Sequence, residues 1–486
     1  MTRSLERANY RVTFIVLILG VSAYALLQSL VIPALPTIQR ELHTSQTTVT
    51  WVVTAYLLSA SIFTPIMGRV GDMVGKERVL VATLIALAAG SVVAGLAHSI
   101  GILILGRAIQ GIGGGVLPLS FGIIRDEFPG AKVAGGIGIV AAMTAVGGGV
   151  GTIVAGPIIN GLNYHWLFWI PLIICVIAAI CTRIFVPESP VRTPGRISWI
   201  AALLLSGWLV ALLLGVSEAP SWGWTSPRVL ALFAMAAMLL AAWISVELRS
   251  RQPLIDMHMM RVPAVWTNNL VAFLFGMGMY SAMAFLPEFL QTPSSVGYGF
   301  SASIIRSGLY LMPLTVMMFI FGMLSGKIAA KIGSKAAVII GSVISFAAYL
   351  TLAFAHSESW QIYAASTLLG IGLGLAFSAM SNLIVQAVPP EQTGVASGMN
   401  ANIRTIGGAV GAAVMASIVT ATVLPSGYPA ESGYRNGFLL LAAITLAAVV
   451  AAVLIPTAMP DPEAAEEAHV DHAELAMIPG GTITEG

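Results

Sequence analysis

Charged residues are scarce in this sequence. They make up 9% of its 486 residues, whereas hydrophobic residues make up 57%. About a quarter of the residues in a typical soluble domain are charged. A soluble fold could not bury this much apolar surface, so the composition excludes an ordinary soluble protein. Cysteine is rarer still: Cys175 and Cys181 are the only two, six positions apart in one apolar run, and this excludes a disulfide framework.

Clusters of charge and of metal-binding residues are also missing. The formal net charge is +2 and the Lys and Arg residues form no dense basic block, so DNA or RNA is not expected as a partner. The seven histidines are dispersed, and no metal-ligand spacing or phosphate-binding P-loop is present. His469 and His472 could hold a metal, but they lie in an acidic tail that we interpret as solvated. We therefore expect no metal, no cofactor and no enzymatic activity.

Long apolar runs are what the sequence has in abundance. Fourteen runs are each long enough for a helix to cross a hydrocarbon core about 30 Å thick. The first, from about Val12 to Pro36, is too long for a signal-peptide core, and we interpret it as a retained span. The predicted fold class is an all-α membrane protein with 14 transmembrane helices. An even number of spans places both termini on the same face.

Lys and Arg residues are distributed unevenly between the connections. Of the 23, 17 fall on one face of the membrane, which is called the basic face below. Four fall on the opposite face: Arg40, Arg228, Arg306 and Arg435. The remaining two, Arg107 and Arg404, lie within apolar runs. Because cytoplasmic loops carry the excess of Lys and Arg, we expect a multi-pass protein of the inner (plasma) membrane with cytoplasmic N- and C-termini. The acidic tail, 458–486, is predicted to be disordered.

Two stretches of sequence are repeated with nearly the same offset. GRVGDMVGK from Gly68 matches GKIAAKIGS from Gly326 at an offset of 258, and GIGGG from Gly111 matches GIGLG from Gly370 at 259. The copies are equally oriented, which indicates parallel repeats related by an axis along the membrane normal. We predict a six-helix bundle at 1–187, a two-helix insertion with linkers at 188–262 and a second six-helix bundle at 263–457.

The stretch GRVGDMVGKER, with Asp72 and Arg78 in place, resembles the loop signature between the second and third spans of the major facilitator superfamily. Up to about residue 457, the chain is similar to the fourteen-helix drug:proton antiporters of that superfamily. The resemblance implies the major facilitator fold, with two six-helix bundles plus two inserted helices. It also implies a latch at the basic face, in which Asp72 accepts hydrogen bonds from a helix N-terminus or a neighbouring Arg. Arg125 and Asp126 are candidate latch partners, and the alternative is an ordinary charged loop.

Arg107 lies within the fourth apolar run, where an arginine costs about 2.5–3.5 kcal/mol on insertion scales. We therefore expect its side chain to face a wet or polar interior. The segment resembles the fourth-span motif of the family, which implies a role in proton coupling for Arg107, with Gln110 and Gly111. Arg404 is the corresponding charge in the second half. The alternative for both is an arginine whose side chain reaches the membrane interface.

The fifth span resembles the antiporter motif of the family, but imperfectly. The motif-like residues are Gly147, Gly151, Thr152, Gly156 and Pro157. Where the family has Gly-Pro and Gly-Gly, this sequence has Gly151-Thr152 and Ala155-Gly156, and Pro157 follows one residue later. Missing side chains permit close packing and bending of a helix. The alternative is a helix-packing seam without a role in antiport.

Carboxylates are nearly absent from the apolar runs. The first span has Leu27 at the position where many family members have Asp, so one usual protonation site is missing. Glu288, near the outer end of the ninth run, is the only carboxylate that we place within a long run. It could carry protons, or it could form a static pair with Arg306. Proton coupling is therefore implied mainly by the resemblance.

The ninth and tenth runs are rich in Met and aromatic residues, whose flexible surfaces can repack around varied apolar ligands. Candidate substrate-pocket residues are Met277, Tyr280, Met283, Tyr310 and Asn400, and the alternative is lipid-facing or interhelical packing. We predict a monomeric secondary active transporter that exports small hydrophobic or cationic compounds, such as drugs, in exchange for protons by alternating access. The alternatives are a facilitator or symporter that imports a small metabolite, and a non-transporting membrane sensor or scaffold.

Overall fold

The computed structural model describes residues 10–44, 46–189, 198–250, 253–389 and 392–456. Within these ranges the chain is helical, and its only β-type pairing is an isolated bridge between Val423 and Pro429. The helices are α1 Tyr10–Ser29, α2 Leu35–Glu41, α3 Gln46–Val74, α4 Lys76–Gly95, α5 Ile100–Gln110, α6 Val116–Glu127, α7 Gly130–Gly161, α8 Trp166–Phe185, α9 Trp199–Trp222, α10 Pro227–Arg249, α11 Met257–Arg261, α12 Pro263–Gln291, α13 Ile304–Ile332, α14 Ser334–Phe354, α15 Ser359–Gln386, α16 Thr393–Val419 and α17 Glu431–Val453.

Most of these helices are long enough to cross a membrane. Thirteen helical segments in the described ranges have the required length and apolar composition, and α5 and α6 together form one of them, Ile100–Glu127. Helix α7 is a further long helix of 32 residues, with an apolar central part at Gly135–Gly151. The chain is therefore a multi-span membrane protein, and the predicted number of fourteen spans stays a prediction.

The first repeated stretch forms the same turn in both copies. Gly75, between α3 and α4, has a φ of +127°, and Gly333, between α13 and α14, has a φ of +85°. A positive φ strongly favours glycine, because other residues carry a Cβ that clashes with the backbone there. Each glycine is followed directly by the first residue of the next helix. The next-to-last residue of each copy, a glycine, therefore lets two long helices reverse direction without a loop.

The helices form two mutually packed groups. The first contains α1 and α3–α8, the second contains α12–α17, and the groups meet along two seams, α3 against α16 and α7 against α13. Helices α9 and α10 pack on each other, and α9 also contacts α3 and α16. The predicted domain boundaries stay predictions. Parts of both linkers (190–197 and 251–252) and the acidic tail with His469 and His472 lie outside the described residues.

Candidate functional site

Helices α3 and α16 touch backbone to backbone at the basic face. A Cβ added to Gly68 would lie 2.5 Å from the carbonyl oxygen of Gly394, and one added to Gly398 would lie 3.0 Å from that of Thr64. Small residues allow such close approach between membrane helices. The two helix groups are therefore closed against each other at this face.

Asp72 caps the helix on the other side of this seam. Its Oδ2 accepts a hydrogen bond from the backbone N–H of Val395 at 3.2 Å, and Asp72 is buried. Val395 is the third residue of α16, and the first N–H groups of a helix have no partner within it. The carboxylate also faces the positive end of the helix dipole. The structure thus gives Asp72 one of the two kinds of partner predicted from the sequence, a helix N-terminus.

Lys76 connects two buried carboxylates beneath the seam. Its Nζ lies 2.7 Å from Oδ2 of Asp126 and 3.6 Å from Oδ1 of Asp72, and none of the three side chains is more than 1% exposed. Asp126 also accepts a hydrogen bond from the hydroxyl of Ser189. The sequence analysis did not single out Lys76. The signal that could have found it is its spacing of four residues from Asp72, at which opposite charges often meet.

Arg125, a predicted latch partner, and Arg78, a residue of the loop signature, have different positions. Nη1 of Arg125 donates to the carbonyl oxygen of Val385 at 2.5 Å and to Oγ1 of Thr393 at 2.6 Å, so it ties α6 to α15 and α16. The side chain of Arg78 is 61% exposed and forms an ion pair with Glu188, with 3.1 Å between Nε and Oε2. Asp72, Lys76, Arg125 and Asp126 are called the latch below, and Arg78 lies beside it.

Arg107 is fully buried within the first helix group and does not reach an interface. Its Nε donates to the carbonyl oxygen of Val52 at 3.0 Å, and its Nη1 donates to the carbonyl oxygen of Leu27 at 3.0 Å and to Oε1 of Gln110 at 2.7 Å. Its guanidinium also lies 4.1 Å from the ring centroid of Tyr56. Because residue 27 is a leucine, it offers this arginine only its backbone oxygen.

Arg404 is buried within the second helix group, on α16. Its guanidinium lies 4.0 Å from the ring centroid of Phe377, and the residue is 7% exposed. A Cβ added to Gly276 would lie 2.0 Å from the carbonyl oxygen of Arg404, so α12 and α16 touch at this level. Asn400, one turn earlier, donates to Oδ1 of Asn269 at 2.8 Å and is occupied by that contact.

The glycine-rich α7 packs on both helix groups. A Cβ added to Gly147 or Gly151 would lie 2.4 Å from Ala25 or 2.0 Å from Ser29 of α1. A Cβ added to Gly149 would lie 1.9 Å from Thr315 of α13. The helix continues through Pro157, which is exposed, and Gly156 faces Ile305 of α13. The side chain of Thr152 is outside the described part of the structure. Close packing is thus the visible role of this run.

The geometry is that of two helix groups, closed at one face, with a buried arginine in each. Residues 17–412 match the sequence profile of the Major Facilitator Superfamily. The chain belongs to this superfamily. The match confirms the family that the sequence motifs indicated, and the fourteen-helix antiporter subgroup stays a prediction.

Relatives of this major facilitator protein are named as transporters. It is 30% identical over 366 residues to the multidrug transporter protein MdtP of Bacillus subtilis (strain 168), which covers 74% of this chain and 66% of that protein. It is 26% identical over 410 residues to the tetracenomycin C resistance and export protein of Streptomyces glaucescens, which covers 82% and 74%. The chain is therefore a membrane transporter, and the expectation that it is not an enzyme is confirmed.

A solved structure has the same fold as this major facilitator protein. The crystal structure of the human organic anion transporter MFSD10 (TETRAN) superposes with a TM-score of 0.69 at 17% sequence identity, and the match covers 91% of this chain and 99% of that one. At this identity the likeness concerns the fold alone. It confirms the predicted all-α major facilitator fold.

The predicted substrate-pocket residues do not form one cluster in this transporter. Met277, Tyr280 and Met283 are half-buried on α12, where Met277 and Tyr280 face glycines of α16 and Met283 faces Gly148 of α7. Tyr310 is buried elsewhere: its ring stacks on Tyr363 at 4.9 Å, and its hydroxyl lies 2.8 Å from Oγ of Ser359. Met277, Tyr280 and Tyr310 therefore contact other helices of the second group, and Met283 alone of the four reaches α7, where it meets Gly148 of the first group.

Glu288 and Arg306 do not form the static pair that the sequence suggested. Glu288 is exposed near the end of α12, beside the hydroxyl of Tyr434. Arg306 is exposed near the start of α13, and no ion pair joins the two among the described residues. Neither residue lies between the helix groups at the level of Arg404.

Proposed function

We propose that this major facilitator protein exports small hydrophobic compounds from the cell, by alternating access and in exchange for protons. Relatives with the printed names multidrug transporter protein and tetracenomycin C resistance and export protein support export as the direction. We place the protein in the inner (plasma) membrane with both termini in the cytoplasm, since the basic face carries most of the Lys and Arg residues.

The observation that carries the mechanism is the closed seam at the basic face. The contacts of Gly68 with Gly394 and of Asp72 with the N-terminus of α16 join the two helix groups. With the basic face in the cytoplasm, this arrangement is the state closed towards the cytoplasm. Loading a compound from the cytoplasm requires these contacts to break, and the latch sets the free energy of that opening.

The proposal of proton exchange is supported mainly by the resemblance to the family motif and less by titratable groups inside the protein. Arg107 and Gln110 occupy the positions to which the family motif assigns coupling, and Leu27 leaves the first span without a carboxylate. The test must therefore separate export from its coupling to protons.

Export can be measured with Nile red, a neutral lipophilic dye, in cells that lack their own efflux pumps. Cells are loaded without an energy source and then given glucose, and the decline of fluorescence is followed. We expect faster efflux than in empty-vector cells, loss of that efflux with Asp72→Asn, and normal efflux with Glu41→Gln, an exposed carboxylate away from the latch. Efflux no faster than the vector control contradicts export. Efflux that persists with a protonophore contradicts proton exchange and leaves export standing.

A further inference from the structure

The interior of this transporter carries positive charge and no matching negative charge. Among the described residues, each Asp and Glu lies in a connection or close to a helix end. Arg107 and Arg404 lie well inside their spans, Ile100–Glu127 and Thr393–Val419. Arg404 is 11 residues beyond the start of α16, which corresponds to about 16 Å along a helix of about 40 Å. It is therefore near the middle of the membrane.

Aromatic rings lie beside both buried arginines. Tyr56, under Arg107, has its ring centroid 6.4 Å from that of Tyr24 on α1. Tyr24 and Tyr280 lie within electrostatic range of Arg404, whose guanidinium covers the ring of Phe377. Tyr24 and Tyr280 are both half-buried, so neither ring is fully covered by neighbouring side chains. Each of the two buried cations thus has aromatic side chains close to it.

The two arginines differ in how their hydrogen-bond donors are used. Nε and Nη1 of Arg107 have three acceptors, at 2.7–3.0 Å. Arg404 has no hydrogen-bond acceptor among the described residues. Its guanidinium instead lies over the face of the Phe377 ring. Ring contact compensates only part of the cost of removing a guanidinium from water. Arg404 therefore keeps free donors and a little exposure beside the half-buried tyrosines.

We propose that Arg404 binds the anionic group of the exported compound, so that the substrates are amphipathic organic anions with an aromatic or apolar body. A guanidinium binds a carboxylate or sulfonate through two parallel hydrogen bonds, and an anion there neutralises a charge that the protein leaves uncompensated. The aromatic faces of Tyr24 and Tyr280 and the side chain of Met277 suit the apolar body. This inference rests on the proposed export function and replaces the cationic substrates expected from the sequence.

The test compares two dyes with similar xanthene skeletons and opposite charge. Fluorescein is an anion at neutral pH and rhodamine 123 is a cation, and Nile red serves as the neutral dye. Efflux of each is measured in pump-deficient cells that express the unaltered chain, Arg404→Gln, Arg404→Lys or Arg306→Gln. Arg306 is an exposed arginine near the start of α13 and provides the matched control. Membrane levels of each variant are measured alongside.

We expect fluorescein to be exported faster than rhodamine 123. Arg404→Gln should lower fluorescein export by about tenfold to a hundredfold, because the neutral amide of Gln can replace at most one of the two charged hydrogen bonds, and leave Nile red export within a factor of about two. Arg404→Lys should retain an intermediate rate, and Arg306→Gln the full rate.

Export of rhodamine 123 without fluorescein would overturn the inference and leave the export function intact. Equal loss of all dyes in Arg404→Gln would also overturn it, because the residue would then be structural. If no dye, including Nile red, left the cells faster than in the vector control, the export function would fail, and the inference with it.

Discussion

Gly68 should control how often the basic face opens. A methyl group at this position would lie 2.5 Å from the carbonyl oxygen of Gly394 and 2.8 Å from its carbonyl carbon. Comfortable contacts between carbon atoms need about 3.5 Å, so the helices must separate by roughly 1 Å. Both opposing atoms belong to the backbone and cannot turn away as a side chain would. Gly68→Ala therefore weakens the closed state more than an ordinary alanine substitution in a helix.

The size of the effect follows from the cost of overpacking. Extra methyl groups in a packed interior cost about 1–3 kcal/mol, and each 1.4 kcal/mol is a factor of ten in an equilibrium. The strain is present only while α3 and α16 touch, so opening relieves it. The population open at the basic face should thus rise by about five- to 150-fold in Gly68→Ala.

Accessibility of Ser397 reports this opening. Ser397 is 4% exposed and lies on α16 between Gly394 and Gly398. With Ser397→Cys as the reporter, in a background with serine at positions 175 and 181, the rate of maleimide labelling in membranes measures the open fraction. Gly68→Ala should increase that rate, whereas Gly101→Ala, where an added Cβ meets nothing within 4 Å, should not. Equal labelling rates in the Gly68 variant and the unaltered chain would refute a closed seam at this contact.

Three further outcomes test the remaining geometry. Lys76→Met should lower the unfolding temperature of the purified protein, because an unpaired buried charge costs about 3–5 kcal/mol; the double variant with Asp126→Asn should recover part of the loss, and no recovery would argue against the pair. Gly75→Ala should destabilise the protein in the same assay, since φ is +127° and a Cβ would meet the carboxylate of Glu188 at 2.3–2.6 Å. Gly223→Ala is the control, because Gly223 also has a positive φ but an added Cβ there meets nothing within 4 Å. Equal unfolding temperatures of the two variants would contradict the predicted clash. Arg107→Lys should lower stability and Nile red export together, because one ammonium cannot reproduce the three hydrogen bonds; unchanged values in both measurements would contradict the role of those bonds.

The fold was largely predictable because membrane helices are long, continuous and apolar. The two copies of the repeated stretch indicated parallel repeats, and the structure has Gly75 and Gly333 at corresponding positions of the two copies with positive φ. What the sequence did not indicate was the break between α5 and α6, where the glycine run 111–115 takes a 3₁₀ conformation. Periodicity does not distinguish that conformation from a continuous helix.

The candidate site was less predictable, because its contacts join distant parts of the chain. Asp72 was expected at some helix N-terminus, but nothing local in the sequence selects α16. Lys76 was not recognised from the sequence, because a lysine in a basic loop is typical of the residues that set the orientation of a protein in the membrane. Arg404 was identified by the cost of burying a charge, yet its partner ring, Phe377, lies among many other apolar residues and carries no sequence signal. Tyr310 was grouped with Met277 by composition, and the structure separates them.

Helix α9 packs against both helices of the α3–α16 seam. Ile66 of α3, Leu205 of α9 and Val395 of α16 belong to one apolar cluster, so α9 covers the outside of the α3–α16 seam. When α3 and α16 separate, α9 cannot keep its present contacts with both helices. It must either move with one of them or shift its position between the two. Opening of the basic face is therefore a rearrangement of three helices, α3, α9 and α16.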